Sequence, residues 1–83
     1  MKTYWITFRS LTHAQRASRA LERKGFTATL TRIPQGISTN GCGYAVIIRQ
    51  RATDAVRILR EDGIQYRKVL VKTEDGAFQE TAL

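Results

Sequence analysis

One cysteine of this 83-residue chain stands between two glycines, and its setting suggests thiol chemistry. Cys42 follows Gly41 and precedes Gly43 in the segment GISTNGCG, and the segments on both sides have the composition of strands. A thiolate is a good nucleophile, and a helix N-terminus or a nearby cation lowers the pKa of a thiol. Glycines add no side chain that would cover the sulfur. We therefore predict an exposed and activated thiol at Cys42.

Several other roles for this cysteine can be weighed on composition alone. A disulfide oxidoreductase would need a second cysteine, but Cys42 is the only cysteine in the sequence. One cysteine and one histidine fall short of the usual three or four zinc ligands, so we expect no metal. His13 is a candidate proton partner for Cys42, with a solvated surface histidine as the alternative. Packing is the structural alternative for Cys42, as a small residue that fills the turn before a strand.

The glycines around the cysteine also bear on cofactors. Gly36, Gly41 and Gly43 resemble a glycine-rich phosphate loop in composition. Such loops lead into a helix, however, whereas the segment after Gly43 has the pattern of a strand. We therefore expect no nucleotide and no other cofactor.

Two similar halves of the chain must position this loop. One reads YWITFRS…ALERKGFTATL and the other YAVIIRQ…ILREDGIQYRKV, each a strand, a helix ending in glycine before a large apolar residue, and a strand. Two such units predict an α+β fold, the ferredoxin-like βαββαβ sandwich. Right-handed crossovers would place both helices on one face of a four-stranded antiparallel sheet of order 4-1-3-2. We expect a single domain over residues 1–73 and a polar, frayed tail over 74–83.

The pattern predicts strands over 4–9, 27–33, 44–49 and 65–73, and helices over 12–24 and from about Thr53 to Gly63. Thr12 with Gln15 resembles a capping box at the start of the first helix. Because strands 1 and 3 are antiparallel neighbours, the start of strand 3 should lie beside the end of strand 1. Cys42 is then expected to approach Ser10, Thr12, His13 and the N-terminal amides of the first helix.

A formal net charge of +7 allows a second function, binding of RNA or of an acidic partner. The segment CGYAVIIR partly fits the ribonucleoprotein strand pattern at Gly43, Tyr44 and Ala45. In the register that we prefer, Tyr44, Val46 and Ile48 face the helices. That register puts Arg49 beside Arg9 on the open sheet face with Trp5. These three residues form the predicted anion or RNA face.

The segment TRIPQGISTNGCGYAV resembles the signature of small bacterial selenium or sulfur carrier-like proteins. The matching positions are Pro34, Ile37, Ser38, Cys42 and Gly43. The likeness extends from about Tyr4 to Tyr66, through the first strand, the alanine-bearing helix and LREDGIQY. Gln35 stands where many members have arginine. The resemblance implies that Cys42 accepts sulfur or selenium as a persulfide-type adduct, while Pro34, Ile37, Ser38, Gly41 and Gly43 support its loop.

A carrier role implies particular partners and a particular compartment. The partner would be a cysteine desulfurase or a protein that accepts sulfur or selenium, with nucleic acid as the alternative. We expect a carrier or binding protein without turnover of its own; its oligomeric state is left open. The longest apolar run, Tyr44 to Ile48, is far too short to span a bilayer. With no recognisable secretory signal, we expect a cytoplasmic protein with a reduced thiol and no membrane contact.

Overall fold

The computed structural model describes residues 3–33 and 43–81, which form two helices and one five-stranded antiparallel sheet. In chain order the elements are β1 (Thr3–Phe8), α1 (Leu11–Arg23), β2 (Thr29–Arg32), β3 (Tyr44–Ile48), α2 (Ala52–Glu61), β4 (Val69–Lys72) and β5 (Phe78–Thr81). The sheet order is β2-β3-β1-β4-β5. No helix in the described part of the chain is long and apolar enough to cross a membrane.

Both helices pack on the same face of the sheet, where the larger hydrophobic core lies. Ile6 of β1 and Val46 and Ile48 of β3 point into this core beside Leu21 of α1 and Leu59 of α2. All five side chains are almost completely buried. Burying an aliphatic side chain of this size contributes about 1.5–3 kcal/mol, so this layer is the main source of stability. The predicted register, with Val46 and Ile48 facing the helices, is confirmed.

The prediction of four strands was wrong, because β5 adds a fifth strand at the edge of β4. Counted from that side, the other four strands lie in the predicted order 4-1-3-2. The sequence pattern had predicted that the residues of β5 belong to a polar, frayed tail. Phe78 explains their order, since its ring meets that of Trp5 edge-on with the centroids 5.0 Å apart. One aromatic residue in a polar segment is too weak a signal to predict a strand.

The two helices end in the same way. Gly25 and Gly63 follow the helices with φ of +90° and +70°, in the left-handed region that glycine adopts without steric conflict. The amides of Phe26 and Ile64 then donate to carbonyls five residues earlier, at 3.0 and 2.9 Å. This is the Schellman arrangement, in which a large apolar residue after the glycine packs back on the helix. Both apolar residues are buried in the core.

The fourth strand begins later than the pattern predicts, at Val69. Arg67 N–H donates to the Thr7 carbonyl at 2.8 Å, and Thr7 N–H donates to the Lys68 carbonyl at 2.8 Å. Two consecutive residues therefore oppose one residue of β1, which is the pattern of a β-bulge. The Thr7 hydroxyl, itself buried, also accepts from Lys68 N–H at 3.0 Å. The bulge interrupts the regular ladder and fixes the backbone of 67–68 at this end of the sheet.

Candidate functional site

The loop that carries the cysteine is only partly covered by the structure. The predicted site residues that lie outside the described residues are Pro34, Ile37, Ser38, Gly41 and Cys42. The predictions about the thiol and its supporting loop therefore stay predictions. Gly43, which follows Cys42 in the chain, is described, and so is Ile33 on the other side of the gap.

Gly43 is held firmly against the sheet. Its carbonyl accepts a hydrogen bond from Ile33 N–H at 3.0 Å. The next residue, Tyr44, pairs with Phe8, the last residue of β1. A Cβ built on Gly43 would lie 3.0 Å from Ile33 Cδ1 and 3.5 Å from the Phe8 carbonyl oxygen. A side chain at Gly43 would therefore need the end of the Ile33 side chain to shift by a few tenths of an ångström.

α1 begins at Leu11, three residues after β1 ends at Phe8. Ser10 is the N-cap, with extended φ and ψ of −135° and 157°. Its Oγ accepts from the backbone N–H of His13 at 3.3 Å, the usual bond of a serine N-cap. The predicted capping box of Thr12 and Gln15 was wrong, because the helix already begins at Leu11. Ser10 is the last residue with extended backbone before the helix, so its side chain can reach the amide of His13 and cap the first turn.

His13 is exposed, and the cap residue orients its ring. The Ser10 Oγ lies 2.6 Å from His13 Nδ1. This contact leaves Nε2 as the ring nitrogen without a partner in the described part of the chain. The first turn of α1 contains no acidic residue, so no carboxylate there opposes an anion near the helix N-terminus. Among the described residues there is no group of three or more His, Cys, Asp or Glu that could hold a metal ion.

A cleft opens beside this turn, and sequence reasoning had not identified it. Its lining residues are Arg9, His13, Gln65, Tyr66, Arg67 and Lys68. We call it the cationic cleft. The segment before β4 reaches it because of the bulge at Thr7, which the sequence pattern had extended as regular strand. The adjacent cations Arg67 and Lys68 were the available signal, but their position depends on that bulge.

The predicted anion or RNA face does not form as a continuous surface. Trp5 faces away from the helices, where it packs with Ile33, Ala45 and Phe78, and only 9% of its surface is exposed. Its indole Nε1 is buried, with no hydrogen-bond partner among the described groups. Lys72 Nζ lies 5.9 Å from the indole centroid and 5.6 Å from that of Phe78. A ring covered in this way offers no free face on which a base could stack.

The two arginines of that face lie at opposite ends of the sheet. Tyr4 pairs with Ile48 and Phe8 pairs with Tyr44, so strands β1 and β3 run antiparallel. Continuing this register places Arg9 and Arg49 beyond opposite ends of the paired segment, about 20 Å apart at roughly 3.3 Å per residue. The prediction that Arg49 lies beside Arg9 was wrong, and both side chains are exposed.

Comparison with known proteins identifies a family whose model matches this chain. A family model described as "Putative Se/S carrier protein-like" matches residues 3–71. The match includes both βαβ halves and the segment between them, and it ends within β4, so β5 lies beyond it. No curated protein matches the sequence.

Proposed function

The chain belongs to this family of selenium/sulfur carrier-like proteins, and we propose that it carries sulfur or selenium as an adduct on Cys42. The position of Gly43 is the observation that supports the proposal most directly. Gly43 accepts a hydrogen bond from Ile33 N–H, and the next residue, Tyr44, pairs with Phe8 of β1. Cys42 is one peptide bond away from this fixed point. The thiol would therefore work near the end of β1 and the first turn of α1.

The first turn of α1 supplies a setting that suits an anionic sulfur. The first amides of a helix have no partner within it, and the helix dipole adds partial positive charge there. Ser10 satisfies the amide of His13, which leaves those of Leu11 and Thr12 without a partner from the helix itself. A thiolate or a persulfide anion close to these amides would be stabilised.

The transfer itself needs no oxidant. The Cys42 thiolate attacks the terminal sulfur of a persulfide on the donor protein. The new bond joins Cys42 to that sulfur, the donor's S–S bond breaks, and the donor cysteine leaves as a thiolate. A thiolate of the acceptor then repeats the step on the adduct and releases Cys42. With selenium as the terminal atom, the same bonds form and break. His13 would take the proton of the Cys42 thiol before the attack.

Intact-mass measurement tests the proposal. The protein is incubated with a cysteine desulfurase and cysteine, and we expect a gain of one sulfur atom that a thiol reductant removes. The Cys42→Ser variant should keep its circular dichroism spectrum and gain nothing, because a hydroxyl is a far weaker nucleophile. A wild-type protein that gains no sulfur, or a serine variant that gains one, would show the proposal to be wrong.

The role of His13 has a separate test. Alkylation of native Cys42 is followed against pH in the His13→Ala variant and in Gln15→Ala, an exposed position on the same helix. If His13 is the proton partner, its removal should shift the pH profile of alkylation, while the Gln15 variant should match wild type. Identical profiles in all three proteins would leave His13 as a solvated surface residue.

A further inference from the structure

The cationic cleft is a defined concavity of about 540 Å³. The end of β1 and the first turn of α1 form one wall through Arg9 and His13, and the segment 65–68 forms the other. The bulge at Thr7 holds the second wall in place with backbone hydrogen bonds of 2.8 Å. Tyr66, another residue of that wall, accepts a hydrogen bond from the Arg60 guanidinium at 3.2 Å. The two walls therefore belong to the folded core and not to the 34–42 segment.

The charges in this cleft are of one sign. Arg9, Arg67 and Lys68 line it, and none of the described lining residues is an aspartate or glutamate. Lys68 is 4.0 Å from Glu80, in a pair whose side chains are 43% and 65% exposed, so solvent screens it strongly. Within the described part of the chain, Arg9 and Arg67 have no acidic partner. The cleft thus presents positive charge that the fold itself does not neutralise.

We propose that the cationic cleft docks an acidic segment of the protein that exchanges sulfur or selenium with Cys42, an inference that rests on the proposed function. Arg9 follows Phe8, which pairs with Tyr44 directly after Gly43, so a segment bound there would lie beside the end of the loop that carries Cys42. Docking would then bring the partner's cysteine to the thiol. Complementary charge of this kind mainly speeds encounter and fixes orientation.

The chemistry of the lining favours carboxylates on a polypeptide. The three cations are exposed, and an exposed pair is worth only about 0–1 kcal/mol, so one small anion would bind weakly. Several carboxylates on one chain can engage all three cations together. A nucleic acid would also use stacking on aromatic rings. Among the described residues that line the cleft, Tyr66 is the only aromatic one, and it is half-buried with its hydroxyl engaged.

A fluorescein-labelled hexaglutamate peptide serves as the probe, with binding measured by fluorescence anisotropy at low and physiological salt. All proteins carry Cys42→Ser, so no thiol chemistry contributes. Arg9→Gln with Arg67→Gln should weaken binding about tenfold, since two exposed ion pairs are lost. The matched control is Arg19→Gln with Arg23→Gln, which removes the same charge from exposed positions of α1 away from the cleft. We expect it to weaken binding by less than about twofold.

Two outcomes would overturn the proposal. Equal weakening in the two double variants would mean that net charge alone attracts the peptide. Tighter binding of hexauridylate than of hexaglutamate, lost on Arg9→Gln with Arg67→Gln, would assign the cleft to nucleic acid. Circular dichroism spectra identical to wild type are required of both variants before the affinities are compared.

A third measurement separates this proposal from the carrier function. Wild type and the cleft variant, both with Cys42 intact, are treated with a small persulfide that carries no other charged group, and the mass of each is determined. A carrier thiol should take up sulfur equally in both, because the small donor does not need the cleft. Failure of uptake in both would refute the carrier function, whereas unchanged peptide binding in the cleft variant would refute docking alone.

Discussion

α1 and α2 both end at a glycine of positive φ, but Ser10 caps the start of α1 whereas α2 starts from Arg51 without a side-chain cap. Arg51 has φ 58° and ψ 40°, a left-handed conformation that costs a non-glycine residue about 1–2 kcal/mol. Its guanidinium lies 4.8 Å from the Phe26 ring centroid, and its Nε lies 3.4 Å from Asp54. These contacts offset the strain.

The features that the two helices share hold them on the core, whereas the features in which they differ set the first turn of α1, at the candidate site, apart from that of α2. The features that the halves share, a glycine end and a buried leucine, attach each helix to the core. The features that they do not share lie in the first turn of each helix. In the first half that turn holds a neutral cap and an oriented His13. In the second half the corresponding turn has no side-chain cap and contains Asp54, which pairs with Arg51.

The largest expected effect tests whether the two helices are equally well anchored. Leu21→Ala and Leu59→Ala should each lower the free energy of unfolding by about 3 kcal/mol, because both side chains are fully buried and their loss leaves a cavity. Urea denaturation followed by circular dichroism measures both. Leu11→Ala, at a position that is 40% exposed, is the control and should change stability by less than about 0.5 kcal/mol. A gap above about 1 kcal/mol between the two leucines would break the equivalence.

A smaller effect tests the shared helix ends. Gly25→Ala and Gly63→Ala should each cost about 1 kcal/mol, since the left-handed backbone strains a Cβ although nothing lies within 4 Å of it. The same urea titration applies. Stabilisation by either substitution would mean that the positive φ is not required at that helix end.

The helix starts should respond unequally. Ser10→Ala removes the cap of α1 and should cost about 1 kcal/mol. Arg51→Gly relieves the left-handed strain and loses the contact with Phe26, so we expect stability within about 0.5 kcal/mol of wild type. Equal losses in the two variants would show that the two starts are energetically alike, against the structure.

The smallest effect concerns the turn between β4 and β5, which contains Asp75. In the described part of the chain, only the second half has such an additional strand. The Thr73 hydroxyl, and after it the Ala77 N–H, donate to the Asp75 carboxylate and lower the pKa of Asp75 from its ordinary 3.8. A lowered pKa in the folded state adds stability that is complete above pH 3.8 and is lost as pH falls through the folded value. Asp75→Asn should therefore flatten the decline of the thermal midpoint below that pH. A decline identical to that of wild type would show that the Asp75 carboxylate does not contribute to the loss of stability at low pH.

The sequence predicts the parts of this fold that depend on local pattern. Gly25 and Gly63 followed by large apolar residues mark the helix ends, and alternation along β3 gives its inward face. Both signals lie within a few neighbouring residues, where backbone conformation and side-chain spacing are decided. The choice of Cys42 rests likewise on residue type and neighbours, together with a family signature.

The pattern misses one local feature, the cap of α1 at Ser10. Its other misses depend on contacts between distant segments. β5 forms because Phe78 meets Trp5, more than seventy residues earlier in the chain. The cationic cleft exists because Thr7 bonds to two consecutive residues of the segment before β4. Arg9 and Arg49 are separated by the length of a strand pair, which alternation does not report. Each of these three features depends on the register between paired strands, and register is set by tertiary contacts.

The edge-on contact between Trp5 and Phe78 gives the molecule an internal optical reporter. Trp5 is the only tryptophan of the chain, and it lies on the side of the sheet opposite the helices. Its emission therefore responds to undocking of β5, whereas circular dichroism follows the helices. An emission shift that precedes the loss of helical signal during denaturation would mean that the strand beyond the family-matched segment detaches first, as a separate cooperative unit. The sheet would then unzip from that edge while the helices and the first turn of α1 remain folded.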